Sequence, residues 1–153
     1  MPPETGNTVS GNVLFPLPCA CQNLRRLARV VSRLYDEELR KAGLEITQFG
    51  LLTALATLGV ANQKTLSTGL AMDSTTLTRT LGPMCEAGWV RVRRGEDRRE
   101  RRFRLTPEGK RRLALARPHW EQAERTLRRK LGDASWNGMA DSVHRLTQAA
   151  IAG

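Results

Sequence analysis

The sequence predicts a mainly α-helical protein with a small β-hairpin, in the order α-α-α-α-β-β-α-α. Three observations predict it. Apolar residues recur at helical spacing through most of the 153 residues. One stretch, "WVRVRRGEDRRERRFRLT" from Trp89 to Thr106, switches to alternation of period two around a Gly and two acids. Two short helical stretches are separated only by Ala71, Met72 and Asp73, the spacing of a helix-turn-helix.

Taken in order, residues 1–18 form a flexible arm containing Pro, Gly and Asn. Residues 19–41 form the first helix, with Leu24, Leu27, Val31 and Leu34 on one face and Gly43 as its stop. Thr47 caps a second helix whose face carries Phe49, Leu52, Leu55 and Leu58, ending at Gly59. Residues 62–70 form a short third helix using Leu66 and Leu70. Asp73 is an acidic N-cap for the fourth, with Leu77, Leu81 and Met84 inward and Gly88 at its end. Trp89, Val90 and Val92 are the apolar positions of one strand, Phe103 and Leu105 those of the other, and Gly95-Glu96-Asp97 is the tip. Thr106 caps a long helix with Pro107 at its first position, where a missing N–H costs nothing, and Glu108 at the positive dipole end. Its apolar residues are Leu113, Ala116, Trp120, Ala123, Leu127 and Leu131. A last helix after Gly132-Asp133 carries Trp136, Met139, Val143, Leu146 and Ala150 at spacings of three and four.

Charge is concentrated in the hairpin. From Arg91 to Arg104, eight of fourteen residues are Arg and three are acidic, leaving +5, half of the chain's formal +10. Localised positive charge points to a polyanion. Only four residues are Lys, so an arginine-rich proteome accounts for the choice of Arg over Lys, though not for where the arginines cluster. A helix-turn-helix followed by a basic hairpin is a winged helix, and its fourth helix enters the major groove of duplex DNA. With Leu77 set at 0° and about 100° per residue, Leu81 and Met84 lie within about 40° of it. Thr75, Thr76, Thr78 and Arg79 then form the outward face. Short hydroxyls let a helix approach base edges, and Arg bonds guanine bidentately. Ser74 reaches a phosphate. Arg94, Arg98, Arg99 and Arg101 of the wing meet the backbone, so binding weakens with salt.

The stretches "TQFGLLTALA", "DSTTLTRTLGPMCEAGWVRV" and "DRRERRFRLTPEG", with the flanking long helices, resemble the MarR family of bacterial transcription regulators over roughly residues 20–150. That resemblance implies a winged helix-turn-helix lobe over residues 44–105. It implies N- and C-terminal dimerisation helices, residues 19–43 and 106–153, in a homodimer that binds a palindromic operator, usually as a repressor. It assigns Arg99 to the minor groove and Asp97 to holding the wing in shape. Gly82-Pro83 departs from the family, and Pro83 removes the hydrogen bond to the Arg79 carbonyl, so a bend is expected there. The dimer also follows from packing, because long amphipathic helices flanking a small lobe cannot all bury their stripes in it. An intramolecular three-helix lobe is the alternative.

"PCACQN" places Cys19 and Cys21 at the start of the first helix, where the dipole favours a thiolate. They are candidate thiol or soft-metal sensors, or plain small residues at a helix start. Cys85 reads as a buried structural residue. A small-molecule effector would be lined by Tyr35 and Trp120, with His119 adjacent. No resident cofactor or metal is expected. Three cysteines, no basic leader and no apolar run of about 18 residues give a cytoplasmic protein without a membrane span. An enzyme is disfavoured by two histidines only, no Gly-rich phosphate loop and no paired carboxylates on one face. A winged-helix module binding RNA or protein is the remaining alternative.

Overall fold

The computed structural model describes Leu14, residues 16–95 and residues 100–152. Most of the arm expected over residues 1–18 lies outside these residues, as do Glu96, Asp97, Arg98 and Arg99 at the hairpin tip. The residues up to Val31 and those from Ser32 onward form separate packing units, divided within the first helix.

Helix α1 is Ala20–Leu39, followed by one 3-10 turn, Arg40–Ala42, and Gly43 at φ 71°. In the first unit, Leu24, Leu27 and Val30 are exposed. In the second, Tyr35 and Leu39 of the same helix are buried. Helix α2, Ile46–Leu58, starts one residue before the predicted cap Thr47. Glu45 takes the cap position, and the Gln48 side chain accepts the Glu45 N–H at 3.0 Å. Asp36 of α1 accepts the Ile46 N–H at 2.7 Å, a long-range partner that sequence spacing does not reveal. The buried face of α2 is Phe49, Leu51, Leu52 and Leu55, while Leu58 is 50% exposed, contrary to the face read from spacing.

Strand β1, Val60–Asn62, was not expected. Three residues are too short to display a period, and Asn62 also caps the next helix, α3, Gln63–Gly69. Helix α4 is Ser74–Glu86 and contains Pro83. Strands β2, Val90–Arg94, and β3, Arg101–Leu105, form the predicted hairpin, and β1 adds to β3 to give an antiparallel sheet in the order β1-β3-β2. Helices α5, Pro107–Leu131, and α6, Asp133–Ile151, complete the chain.

The core of the second unit joins Leu52 and Leu55 of α2, Leu66 of α3, Leu77, Leu81 and Met84 of α4, and Val90, Phe103 and Leu105 of the sheet. The sheet is clamped to α5 at one tight point. Thr106 accepts the Gly109 N–H at 3.0 Å and donates to the Gly88 carbonyl at 2.6 Å. A Cβ on Gly109 would stand 2.1 Å from the Trp89 carbonyl oxygen, so only glycine fits. Farther along, Arg128 pairs with Asp133 at 2.7 Å across the α5–α6 joint. In α6, Trp136 and Met139 are half-buried, and Val143, Leu146 and Ile151 are exposed.

Candidate nucleic-acid interface

The turn between α3 and α4 is compact. Ala71 adopts φ 49°, and the Met72 N–H reaches the Ser67 carbonyl at 2.9 Å. Asp73 caps α4 as predicted: it accepts the Thr76 N–H at 2.8 Å and the Thr76 hydroxyl at 2.6 Å. The Thr76 hydroxyl bond, then its N–H, holds the Asp73 carboxyl below the ordinary carboxylate range.

Burial of Leu77, Leu81 and Met84 turns the opposite side of α4 to solvent. Ser74, Thr75, Thr78 and Arg79 are exposed there, and Thr76 is half-buried with its hydroxyl committed to Asp73. Gln63 of α3 donates to the Ser74 hydroxyl at 2.8 Å and to the Thr78 hydroxyl at 3.3 Å, tying the two helices together. The Thr78 hydroxyl donates back to the Ser74 carbonyl at 2.8 Å, which leaves its oxygen as an acceptor. Among the described residues, Thr75 and Arg79 make no side-chain hydrogen bond or ion pair; they are free to meet a ligand.

The hairpin register places Val90 opposite Leu105, Val92 opposite Phe103 and Arg94 opposite Arg101 on one face. Arg94 and Arg101 are exposed at its outer end. Arg98 and Arg99, assigned to DNA by the sequence, lie outside the described residues with Asp97. Just behind the tip, the Gly95 N–H reaches the Glu100 carbonyl at 2.8 Å. The Glu100 carboxylate accepts from Asn62 at 2.8 Å and from Arg102 at 3.2 Å. The Asn62 bond first, and then Arg102, hold that carboxyl below its usual range. Asn62 works in two directions, because its oxygen also accepts the Thr65 N–H at 2.8 Å and caps α3.

Asn62, bonded to Glu100, and its chain neighbour Gln63, bonded to Ser74 and Thr78, therefore tie the base of the wing and α4 to the start of α3. Sequence reading missed Asn62, Gln63 and Glu100. Asn62 carries a cap signal, but nothing local identifies Glu100 or Ser74 as partners.

The candidate sensing residues fall apart from one another. Cys19 and Cys21 are exposed free thiols, Cys19 just before α1 and Cys21 in its first turn. Cys85 is half-buried rather than buried; burial pushes its thiol up, and Arg101 pulls the other way. Tyr35 donates its hydroxyl to Glu124 at 2.6 Å, and burial ahead of that carboxylate drives the phenol well above its ordinary range. Trp120 stacks on Phe49 with centroids 5.7 Å apart. One open cavity of about 390 Å³ lies beside Arg125, Arg128 and Arg129, and another of about 210 Å³ beside Asn62, Thr65 and Glu100. No helix among the described residues is long and apolar enough to cross a membrane.

Residues 44–100 match the sequence model of the MarR family. The chain is 36% identical over 85 residues to YwoH of Bacillus subtilis, an uncharacterised HTH-type transcriptional regulator. That match takes in 56% of this chain and 62% of YwoH, so the chain spans less than two thirds of that relative. Among solved structures, the transcriptional regulator MosR of M. tuberculosis in complex with DNA superposes with a TM-score of 0.78 at 36% identity, covering 88% of this chain and 97% of that one. A mutant MarR of E. coli complexed with operator DNA shares the fold at a TM-score of 0.74 and 19% identity, covering 82% and 91% of the two chains.

Proposed function

This chain belongs to the MarR family of DNA-binding, non-enzymatic helix-turn-helix transcriptional regulators, and from that premise we propose that it is a cytoplasmic homodimeric repressor that grips a palindromic operator. The observation that carries the reading is the exposed pair Thr75 and Arg79 on the outward face of α4, without internal partners, beside a hairpin whose arginines outnumber its acids. In the proposed complex Arg79 reads a base edge in the major groove, Thr75 and Thr78 allow close approach, and Ser74 takes a phosphate. Arg94, Arg98, Arg99 and Arg101 neutralise backbone charge around the adjacent minor groove. MosR, 36% identical to this chain and crystallised with DNA, supports a DNA-binding role.

The second copy covers the apolar residues that each unit leaves open. Leu24, Leu27 and Val30 of α1 are 44–57% exposed, and Val143, Leu146 and Ile151 of α6 are 54–70% exposed. Two such stripes in one chain are a large apolar surface for a monomer to show water.

For the signal, we favour thiol oxidation at Cys19 and Cys21 over a metal or a small molecule in the neighbourhood of Tyr35 and Trp120. Both thiols are exposed at a helix start, whereas Tyr35 and Trp120 already hold internal partners. A peroxide takes one thiolate to a sulfenic acid, releasing hydroxide or water. A second thiolate then attacks the sulfenic sulfur, closing a disulfide and expelling hydroxide, which takes a proton from solvent to leave as water.

The test is fluorescence anisotropy on the DNA upstream of the gene, before and after mild peroxide, for the natural chain and for Cys19→Ser and Cys21→Ser. Salt-sensitive binding that is lost on oxidation and kept in the variants supports the whole reading. Binding indifferent to peroxide removes the thiol signal and leaves the regulator. Equal affinity for single-stranded RNA defeats the operator reading.

A further inference from the structure

The strands sort the hairpin's arginines onto two faces. Arg94 and Arg101 share the face of Val90, Val92, Phe103 and Leu105, the side against which the helices pack. Arg101 is near enough to Cys85 of α4 to act on its thiol. The other face carries Arg91 directly opposite Arg104 and Arg93 directly opposite Arg102. All four are exposed. Their neighbours across β3 are Val60, opposite Arg104, and Asn62, opposite Arg102. The sole ion pair among the described residues on this face is Arg102 with Glu100 at 3.1 Å.

Like charges placed directly opposite in a sheet destabilise it. A solvated surface avoids this by mixing signs, as the i,i+3 and i,i+4 pairs of α5 do with Glu108 between Arg111 and Arg112. On the sheet's outer face Glu100 answers Arg102 alone, and Arg91, Arg93 and Arg104 have no acidic partner among the described residues. The two rows of opposed arginines are two residues apart, about 7 Å along the strand, so no single carboxylate serves both. A backbone of phosphates with a charge every few ångströms does.

We infer that Arg91, Arg93, Arg102 and Arg104 form a second DNA-binding surface that takes the phosphate backbone flanking the operator. This rests on the DNA-binding reading above. With α4 and the wing tip on the operator, the hairpin stands between α4 and the arginine face. That face is turned away from α4. The repulsion between the paired guanidiniums is relieved when phosphates lie over them, so stability is given up in the free protein for reach along DNA.

The experiment compares the full chain with the double variant Arg91→Gln/Arg104→Gln. Each is titrated by anisotropy onto a core operator duplex and onto the same duplex lengthened by about one helical turn, roughly ten base pairs, at each end. The natural chain is expected to bind the longer duplex about tenfold more tightly, with a log–log salt slope steeper by about two. The variant is expected to bind the core duplex within about threefold of the natural chain and to lose the gain from lengthening. Its melting temperature is expected to rise, because two opposed charges are gone.

Absence of any length dependence in the natural chain overturns the inference. So does equal weakening of the variant on both duplexes, which would place these arginines within the operator contact itself. Failure of the natural chain to bind the core duplex strikes the DNA-binding reading, a separate and recognisable result.

Discussion

Asn62 offers a perturbation in which stability and DNA binding part company. Its oxygen caps α3 through the Thr65 N–H, and its amide nitrogen holds the wing through Glu100. Replacing an Asn cap by Ala costs about 1 kcal/mol. For a chain of this size that lowers the melting temperature by about 2–4 °C at fixed protein concentration. Asn62→Ser keeps an oxygen for the Thr65 N–H, and Ser caps about as well as Asn, so it keeps the cap's share of stability, loses only the bond to Glu100, and melts between the natural chain and the Ala variant. Its side chain is shorter and has no amide to reach Glu100, so both variants free the base of the wing. Operator binding is then expected to weaken by a similar factor in both, about three to ten, the span of one positioning hydrogen bond. Calorimetry and anisotropy on the same samples read the two effects. Asn62→Ser binding like the natural chain would refute the coupling between wing and helices. Glu100→Gln against Glu100→Ala supplies the control: both remove the same charge, and only Gln retains an acceptor for Asn62.

Other outcomes follow from single contacts. Arg79→Ala is expected to narrow the gap between operator and random duplex, because a bidentate base contact discriminates by about 1–3 kcal/mol; an unchanged gap would move the reading face elsewhere on α4. Gly109→Ala must push α5 off the Trp89 carbonyl, since the added Cβ has 2.1 Å where real contacts need more than 3.0 Å. A melting temperature lower by several degrees is expected, and none if α5 shifts freely. Leu77→Ala empties a fully buried site between α4 and the core, at a cost of about 2–5 kcal/mol read by denaturant unfolding. Asp73 titrates below its unfolded value, so its cap is complete at neutral pH and is lost as pH falls through the folded value. Asp73→Asn is therefore expected to flatten the acid side of the melting-temperature profile, and an identical profile would deny Asp73 any part in it.

What the sequence made legible and what it hid divide by the range of the interaction. Asp73 and Thr76 are three residues apart, and the cap at α4 is readable from the order of residue types alone. The same holds for Thr106 and Gly109, and for the inward stripe Leu77, Leu81 and Met84, whose spacing repeats the helix. Once that stripe is known, Thr75 and Arg79 must point outward, so the half of the interface on α4 is local information. The brace is not. Asn62 and Glu100 are 38 residues apart, and their pairing exists only because β1 lies against β3. Three residues of strand give no period to detect, so the sheet reads as two strands where the fold has three. The arginine face shows the same limit from the other side. Composition reveals eight arginines in the hairpin, but only the register separates the two that share the helix-packed face, Arg94 and Arg101, from the four that oppose one another on the outer one. Charge is a property of the sequence; repulsion is a property of the register, and it is the repulsion that marks the outer face as built to meet an anion.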